Sequence, residues 1–303
     1  MNQTTIKRPV SISGIGLHSG NKVSVSLHPA VANTGILFEI HTPEKIQYLK
    51  PVPSAVLTTE LATTLGCNGA AVSTVEHLLA AILAMQIDNI VVSVTGGEIP
   101  ILDGSADTFR KNFLKAGIRS LPASRKFMRV NRPVESHNGQ RSIIARPFDG
   151  FYVSYTIEFP HPVIGCQHFS LLVTPENFAQ VANARTFGFF KDVEFLHSHG
   201  LARGGSLESV IVLDEKGVMN PEGLRYKDEF VRHKLLDFIG DMAMLGTPVQ
   251  GHFEVRCSGH EFNNKFLRML EAEQALTLVD TAISAKNEKK ERNLRYNGSL
   301  ALA

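Results

Sequence analysis

The order of segments in this chain repeats once. Glu76-His77-Leu-Leu opens a helical pattern that passes through a turn into the β-branched run Ile90-Val-Val-Ser-Val94. About half the chain later, Arg232-His233-Lys-Leu-Leu opens another helical pattern, which again leads through a turn into a strand-like run over 252–257. Strand–strand–helix–strand order recurs around both. A duplicated α+β unit explains the echo, with a site at the junction of the halves. Chance likeness of two helices is the alternative. Residues 117–126 lose periodicity and gain Pro, Gly and Ser, so a domain boundary is expected there. That divides the chain into a first domain over 1–122 and a second over 127–280. The mixed-charge run after about 284 has little to bury and reads as a solvated tail, 284–303.

Within the second unit the stretch Phe230–Asp241 reads as part of a helix over about 226–245. His233, Asp237 and Asp241 then fall four residues apart, with about 40° of rotation between successive members. Val231, Leu235, Phe238, Ile239 and Met242 cover roughly the opposite side. Imidazole and carboxylate at i and i+4 can reach one cation. The plainer reading is a solvated polar face opposite a core face.

Other segments bear on chemistry more weakly. A helix is expected over 71–85, with Ser73 and Glu76 in the pattern of a capping box. The turn Gly14-Ile-Gly-Leu-His-Ser-Gly20 lies between strands, so its glycines do not match a dinucleotide loop. His18 in that turn is either catalytic or simply exposed. Asp103 and Ser105, in the loop before a helix over 107–116, read as turn chemistry. Strands are expected over 35–41, 48–58, 127–135, 142–147, 151–159 and 168–174, and short helices over 175–183 and 191–199. A last helix is expected over 262–273. Phe187, Phe189, Phe190 and Phe195 read as core or as the lining of an apolar groove.

Composition narrows the function classes. Of 303 residues, 43% are hydrophobic and 20% charged, which suits a soluble chain with a real core. A formal charge of +2 argues against a nucleic-acid binder held by a broad basic surface. No apolar run is long enough to span a membrane, and no signal-peptide core follows Met1. Cys67, Cys166 and Cys257 fit neither a disulfide framework nor a paired-cysteine metal site, so a reducing cytoplasm is expected.

A catalytic zinc site needs three protein ligands and one open position. His77 can supply the ligand that His233 and Asp237 lack. Glu76 is then placed to deprotonate an attacking water, by the logic of a glutamate beside a ligand histidine. His260, in a turn after a strand, could act as a second acid or oxyanion stabiliser, with Asp241 holding its other nitrogen. Lys234 could meet a phosphate or a developing negative charge. Each of these residues also has an ordinary surface or capping role.

Six colinear motifs then carry a resemblance. The Gly14–Gly20 turn, Ser73-Thr-Val-Glu-His-Leu, Glu98-Ile-Pro-Ile-Leu-Asp-Gly-Ser-Ala106, Ala184-Arg-Thr-Phe-Gly-Phe189, Phe230–Asp241 and Ser258-Gly-His260 together resemble the UDP-3-O-acyl-N-acetylglucosamine deacetylases, the LpxC family. The likeness runs from about residue 5 to about 272. It implies an α+β fold of two similar domains, each a layered β-α-α-β unit, with helices facing across the interface. It implies one Zn2+ per chain, held by His77, His233 and Asp237, with Glu76 as general base and His260 as the acid that protonates the leaving amine. Thr186 corresponds to an oxyanion-stabilising hydroxyl and Asp241 to the orienter of His260. Lys234, Phe187, Gly259 and His18 are counted as substrate contacts, and the segment 187–213 as the insert that receives the acyl chain. The substrate implied is a UDP-linked, 3-O-acylated N-acetylglucosamine, deacetylated at the committed step of lipid A synthesis in Gram-negative bacteria. The expected protein is a monomer with no nucleic-acid partner and at most transient membrane proximity.

Two departures from the family pattern stand out. Leu61-Ala-Thr-Thr-Leu65 lacks a cysteine that some members bring toward the metal. Cys257 stands where some relatives have a lysine, which removes one expected diphosphate contact. Two other functions remain open from sequence: a zinc hydrolase of another acylated amino sugar, and a non-catalytic sugar-nucleotide or lipid binder.

Overall fold

Two sheets, each drawn from one part of the chain, flank a pair of buried helices. The computed structural model describes residues 1–282. The tail expected over 284–303 lies outside the described residues. The helices are α1 (Glu76–Ala84), α2 (Asp107–Ala116), α3 (Ala179–Ala182), α4 (Val193–Ser198), α5 (Glu229–Met242) and α6 (His260–Ala272). The first large sheet runs in the order Val10–Ile15, Lys22–Pro29, Ile90–Thr95, Ile36–His41, Ile46–Leu49. In the second, Val249–Arg256 pairs with Arg141–Arg146, Lys126–Val130 and Phe151–Phe159.

The echo in the sequence is an echo in topology. In each half, the strand that follows the histidine-bearing helix is central to its sheet. Ile90–Thr95 pairs antiparallel with Lys22–Pro29 and parallel with Ile36–His41. Val249–Arg256 pairs antiparallel with Arg141–Arg146 and parallel with Phe151–Phe159. Alternation along these strands sends one set of side chains inward. Val25, Leu27, Phe38, Val92 and Val94 are buried in one core with Leu78, Leu79 and Ile82 of α1. Val153, Tyr155, Phe253 and Val255 are buried with Leu235, Phe238 and Ile239 of α5. Phe238 meets Tyr155 and Phe253 with ring centroids 6.1 and 5.8 Å apart, a spacing aromatic pairs favour.

The helices α1 and α5 pack directly on each other. Every residue of α5 except Arg232 and Lys234 is buried. The His233–Asp237–Asp241 stripe is therefore not a solvated face; it is buried between α1, Thr63, α6 and the segment at Ala184. Gly240 makes the approach possible: a Cβ there would lie 2.1 Å from the carbonyl oxygen of Glu76.

Several local expectations change in the folded chain. The stretch 117–126, aperiodic in the sequence, is mostly strand. Ile118–Ser124 forms a strand antiparallel to Asn2–Ile6, with the register slipping in the part that contains Pro122. Arg125 then bonds Asp88 and Gln86, tying this stretch to the first half. The helix expected from residue 71 starts at Glu76, because Ala70–Val72 are taken by a three-stranded sheet and Thr74 adopts a left-handed φ of 58°. No capping box forms. The strand expected over 127–135 is split by Asn131-Arg-Pro133 into Lys126–Val130 and Val134–Asn138, since proline cannot donate to a ladder. Only Ala179–Ala182 of 175–183 is helical. In the 187–213 segment, Phe187–Phe189 runs parallel to Ile211–Leu213 with α4 between them. Phe187 packs on Phe230 and Phe159, whereas Phe190 and Phe195 are more than half exposed.

The Gly240 contact yields a direct test. Gly240→Ala should destabilise the fold by about 1–3 kcal/mol, the usual range for overpacking a tight contact. An unchanged midpoint in urea denaturation would show that α1 and α5 can separate without cost.

Candidate functional site

Two histidines and one carboxylate converge where α1 meets α5. His77 comes from the first turn of α1; His233 and Asp237 lie one turn apart on α5. The Nε2 atoms of His77 and His233 stand 3.4 and 3.2 Å from Asp237 Oδ1, and all three side chains are almost fully buried. The three donor atoms lie within 4.8 Å of one another. Bonds of about 2.0–2.1 Å to four-coordinate zinc set neighbouring donors about 3.3 Å apart.

These three donors could hold a metal ion. His233 Nδ1 donates to the carbonyl of Ala184 at 3.1 Å, which leaves the lone pair of Nε2 facing Asp237 Oδ1. Burial holds the His233 imidazole neutral, its pKa lowered to about 3. Burial alone would raise the Asp237 carboxyl, but His233 and the Lys234 ammonium draw it well below the usual carboxylate range. Lys234 Nζ donates to Asp237 Oδ2 at 2.9 Å. Asp237 Oδ1 is buried without a hydrogen-bond partner. With His233 neutral, its Nε2 and Asp237 Oδ1 are two acceptors 3.2 Å apart, and a cation between them would relieve their repulsion. The donor set fits a transition metal such as zinc.

A buried carboxylate and a buried imidazole lie beside the cluster. Glu76 Oε1 is 4.0 Å from His260 Nε2, and Glu76 Oε2 accepts from the Thr63 N–H at 3.1 Å. Burial raises the Glu76 pKa, against the pull of His260 and His77. Burial alone would lower that of His260; the Asp241, Glu76 and Asp237 carboxylates raise it to about 9. Asp241 Oδ2 accepts from His260 Nδ1 at 2.8 Å and from Asn263 Nδ2 at 2.7 Å, and its Oδ1 accepts from Thr63 Oγ1 at 2.8 Å.

Other predicted residues border this centre. Phe187 faces the His233 ring at 6.4 Å between centroids, and Lys234 Nζ lies 5.9 Å from the centroid of the Phe187 ring. Thr186 sits between Phe187 and Ala184, whose carbonyl holds His233; its backbone bonds Gly104 O and Ile211 N. Lys234, Gly259 and His260 line a cleft of about 400 Å3, together with Arg141 and Cys257. His18 is not joined to the cluster by any hydrogen bond or ion pair among the described residues. Its N–H donates to Glu98, and its Nδ1 accepts from the N–H of Ala202 in the 187–213 segment.

Sequence reading missed several supports. Arg185 is buried and bonds Glu229 at 3.0 Å and Glu222 at 2.5 Å, anchoring the 184–187 segment to the start of α5. Its place in Ala184-Arg-Thr-Phe was visible, but its burial was not. Asn263 lies three residues after His260, a same-face spacing hidden by starting that helix two residues late. Thr63 carried no signal at all: its partners are distant in the chain. The stretch Leu61-Ala-Thr-Thr-Leu65 brings Thr63 to Glu76 and Asp241.

Comparison with known proteins agrees with this arrangement. The sequence model of the LpxC family, described as UDP-3-O-acyl N-acetylglycosamine deacetylase, matches residues 3–272. A protein of Nitratidesulfovibrio vulgaris called UDP-3-O-acyl-N-acetylglucosamine deacetylase is 58% identical over 278 residues, 92% of this chain and 90% of its own length. One of the same name from Lawsonia intracellularis is 55% identical over 304 aligned residues, covering both chains fully. Another from Haemophilus influenzae is 44% identical over 278 residues, 90% of this chain and 91% of its own. With its six motifs in order, its ligand cluster between the two halves and relatives of this closeness, the chain belongs to the LpxC family.

Proposed function

We propose that this chain hydrolyses the 2-acetamido group of a UDP-3-O-acyl-N-acetylglucosamine, releasing acetate and the free amine in the lipid A pathway. One zinc ion per chain is held by His77, His233 and Asp237. The observation that carries the reading is the convergence of these three donors from α1 and α5 in a chain of this family. Zinc bound there supplies a Lewis acid for the amide carbonyl and water activation near neutral pH.

The chain's own groups do the rest. Glu76 takes a proton from the attacking water, and burial makes it a better base than an exposed carboxylate. His260, charged through neutral pH, gives a proton to the leaving amine. Asp241 fixes its orientation and tautomer. The Thr186 hydroxyl and the Lys234 ammonium stabilise negative charge that develops on the carbonyl oxygen. Phe187 walls the reacting end, and Gly259 leaves the cleft floor open beside His260. Arg141 offers a cation in the cleft that Cys257 does not. The insert, with its exposed Phe190 and Phe195, takes the acyl chain. His18 contributes to binding through the base of that insert, where its ring meets Ala202.

The units 1–122 and 127–280 each give one part of the site, the first Glu76 and His77, the second His233, Asp237 and His260. The protein acts as a cytoplasmic monomer; its three cysteines are free, which suits a reducing compartment. No helix among the described residues is long and apolar enough to cross a membrane.

Purified protein should carry about one zinc by elemental analysis, and His233→Ala should weaken metal affinity by more than about tenfold, the loss that even an outer partner of a ligand can cause. Full metal content in that variant would remove His233 from the ligand set. Glu76→Ala should keep its zinc yet lose roughly 10²–10⁴ in turnover. Turnover at the native rate would show that Glu76 is not the base. A panel of acylated and non-acylated UDP-sugars identifies the substrate; preference for a different acylated amino sugar would redirect the assignment.

The pH profile tests His260. Its charged form is present below its pKa of about 9 and is lost as pH rises through that value, so kcat/KM should fall on the alkaline side near pH 9. His260→Gln should be slow and lack this limb. An identical alkaline limb in the variant would assign it to another group.

A further inference from the structure

The loop between the strands Val56–Thr58 and Thr64–Cys67 reaches from the cleft to the acid–base pair. Thr59 and Leu61 line the cleft, and Leu61 takes a left-handed φ of 61°. Two residues on, Thr63 is 2% exposed and makes three bonds. Its carbonyl accepts from Val75 N–H at the start of α1, its N–H donates to Glu76 Oε2, and its hydroxyl donates to Asp241 Oδ1.

Asp241 belongs to α5, in the other half. Its Oδ2 is occupied by His260 and Asn263, both of α6; Thr63 Oγ1 is the only hydrogen bond to its Oδ1 among the described residues. A carboxylate held on one oxygen alone can turn about its last torsion and carry its partner with it. Held on both, it has one orientation. We propose that Thr63 is a positioning residue for the deacetylation read above: its hydroxyl locks Asp241, and so the His260 imidazole, while its peptide N–H holds Glu76. Base and acid are thereby registered to one residue, although they come from different halves. The inference rests on the deacetylase reading for its kinetic arm and on geometry alone for its spectroscopic arm.

Thr63→Val keeps the shape and the peptide N–H but removes the hydroxyl. On the zinc-loaded full chain, kcat for the acylated UDP-sugar should fall roughly 10- to 100-fold, the loss expected for a hydrogen bond to a charged group. KM should stay within about twofold, because the hydroxyl is buried against Asp241. Thr63→Ser should restore kcat to within about threefold. In an Asp241→Asn background, Thr63→Val should add less than about threefold, as coupled partners do. The downfield Nδ1–H resonance of His260 should be sharp in the native protein and in Thr63→Ser, and broadened or lost in Thr63→Val.

An unchanged kcat in Thr63→Val, a loss confined to KM, a serine variant as impaired as the valine, or fully multiplicative losses with Asp241→Asn would each overturn the proposal. So would a His260 resonance indifferent to the valine. Absence of turnover by the native protein would instead count against the deacetylase reading, and the resonance would still decide the role of Thr63.

Discussion

The contact of Gly240 with the peptide of Glu76 is the constraint on which the site depends. Two helices from different halves approach closely only where one lacks a side chain. At that crossing α1 presents Glu76 and His77, and α5 presents His233, Asp237 and Asp241. Neither helix holds a complete ligand set. The sheets behind them fix each helix through ordinary apolar packing, with Phe238 between Tyr155 and Phe253 on one side and Leu78, Leu79 and Ile82 on the other. Rigid supports of this kind hold catalytic groups to within fractions of an ångström.

The crossing also buries an unusual amount of charge. Glu76, Asp237, Asp241, His233 and His260 are all nearly inaccessible to water. Burial of ionised groups is expensive unless every polar atom is partnered. The structure meets that demand almost everywhere. Asp241 has three donors, Glu76 has the Thr63 N–H, and Asp237 Oδ2 has Lys234. Asp237 Oδ1 faces the histidine nitrogens without a hydrogen-bond partner. A buried unpaired carboxylate oxygen beside two imidazole nitrogens suits a cation. Nearby, the same logic is structural: Arg185, buried against Glu229, anchors the segment that delivers Ala184 O to His233 and sets Thr186 and Phe187 beside it.

Much of this was legible in the chain. The i, i+4 spacing of His233 and Asp237 is a local property of a helix, and so is the adjacency of Glu76 and His77. The recurrence of a helix-then-strand order in the two halves expressed the topology, because strand and helix periods are written into side-chain alternation. What misled were signals whose meaning depends on long-range partners. Ser73 and Glu76 form a capping pattern, yet a neighbouring strand claims residues 70–72 and the glutamate turns to Thr63. The Pro- and Gly-containing run at 117–126 lacks periodicity in the sequence, yet most of it is strand, because the N-terminal strand supplies its hydrogen-bond partners.

Sequence alone therefore determined the chemical vocabulary: which residues can bind metal, which can move protons, and which faces of helices and strands they occupy. These follow from covalent spacing over a few residues. The tertiary structure decided which words are read together. It turned a polar stripe that could have faced water into a buried floor, since α1, α6, Thr63 and Ala184 pack over it. It also supplied Thr63, Ala184 O and Arg185, whose roles rest on contacts with residues far away in the chain and leave no trace in local pattern.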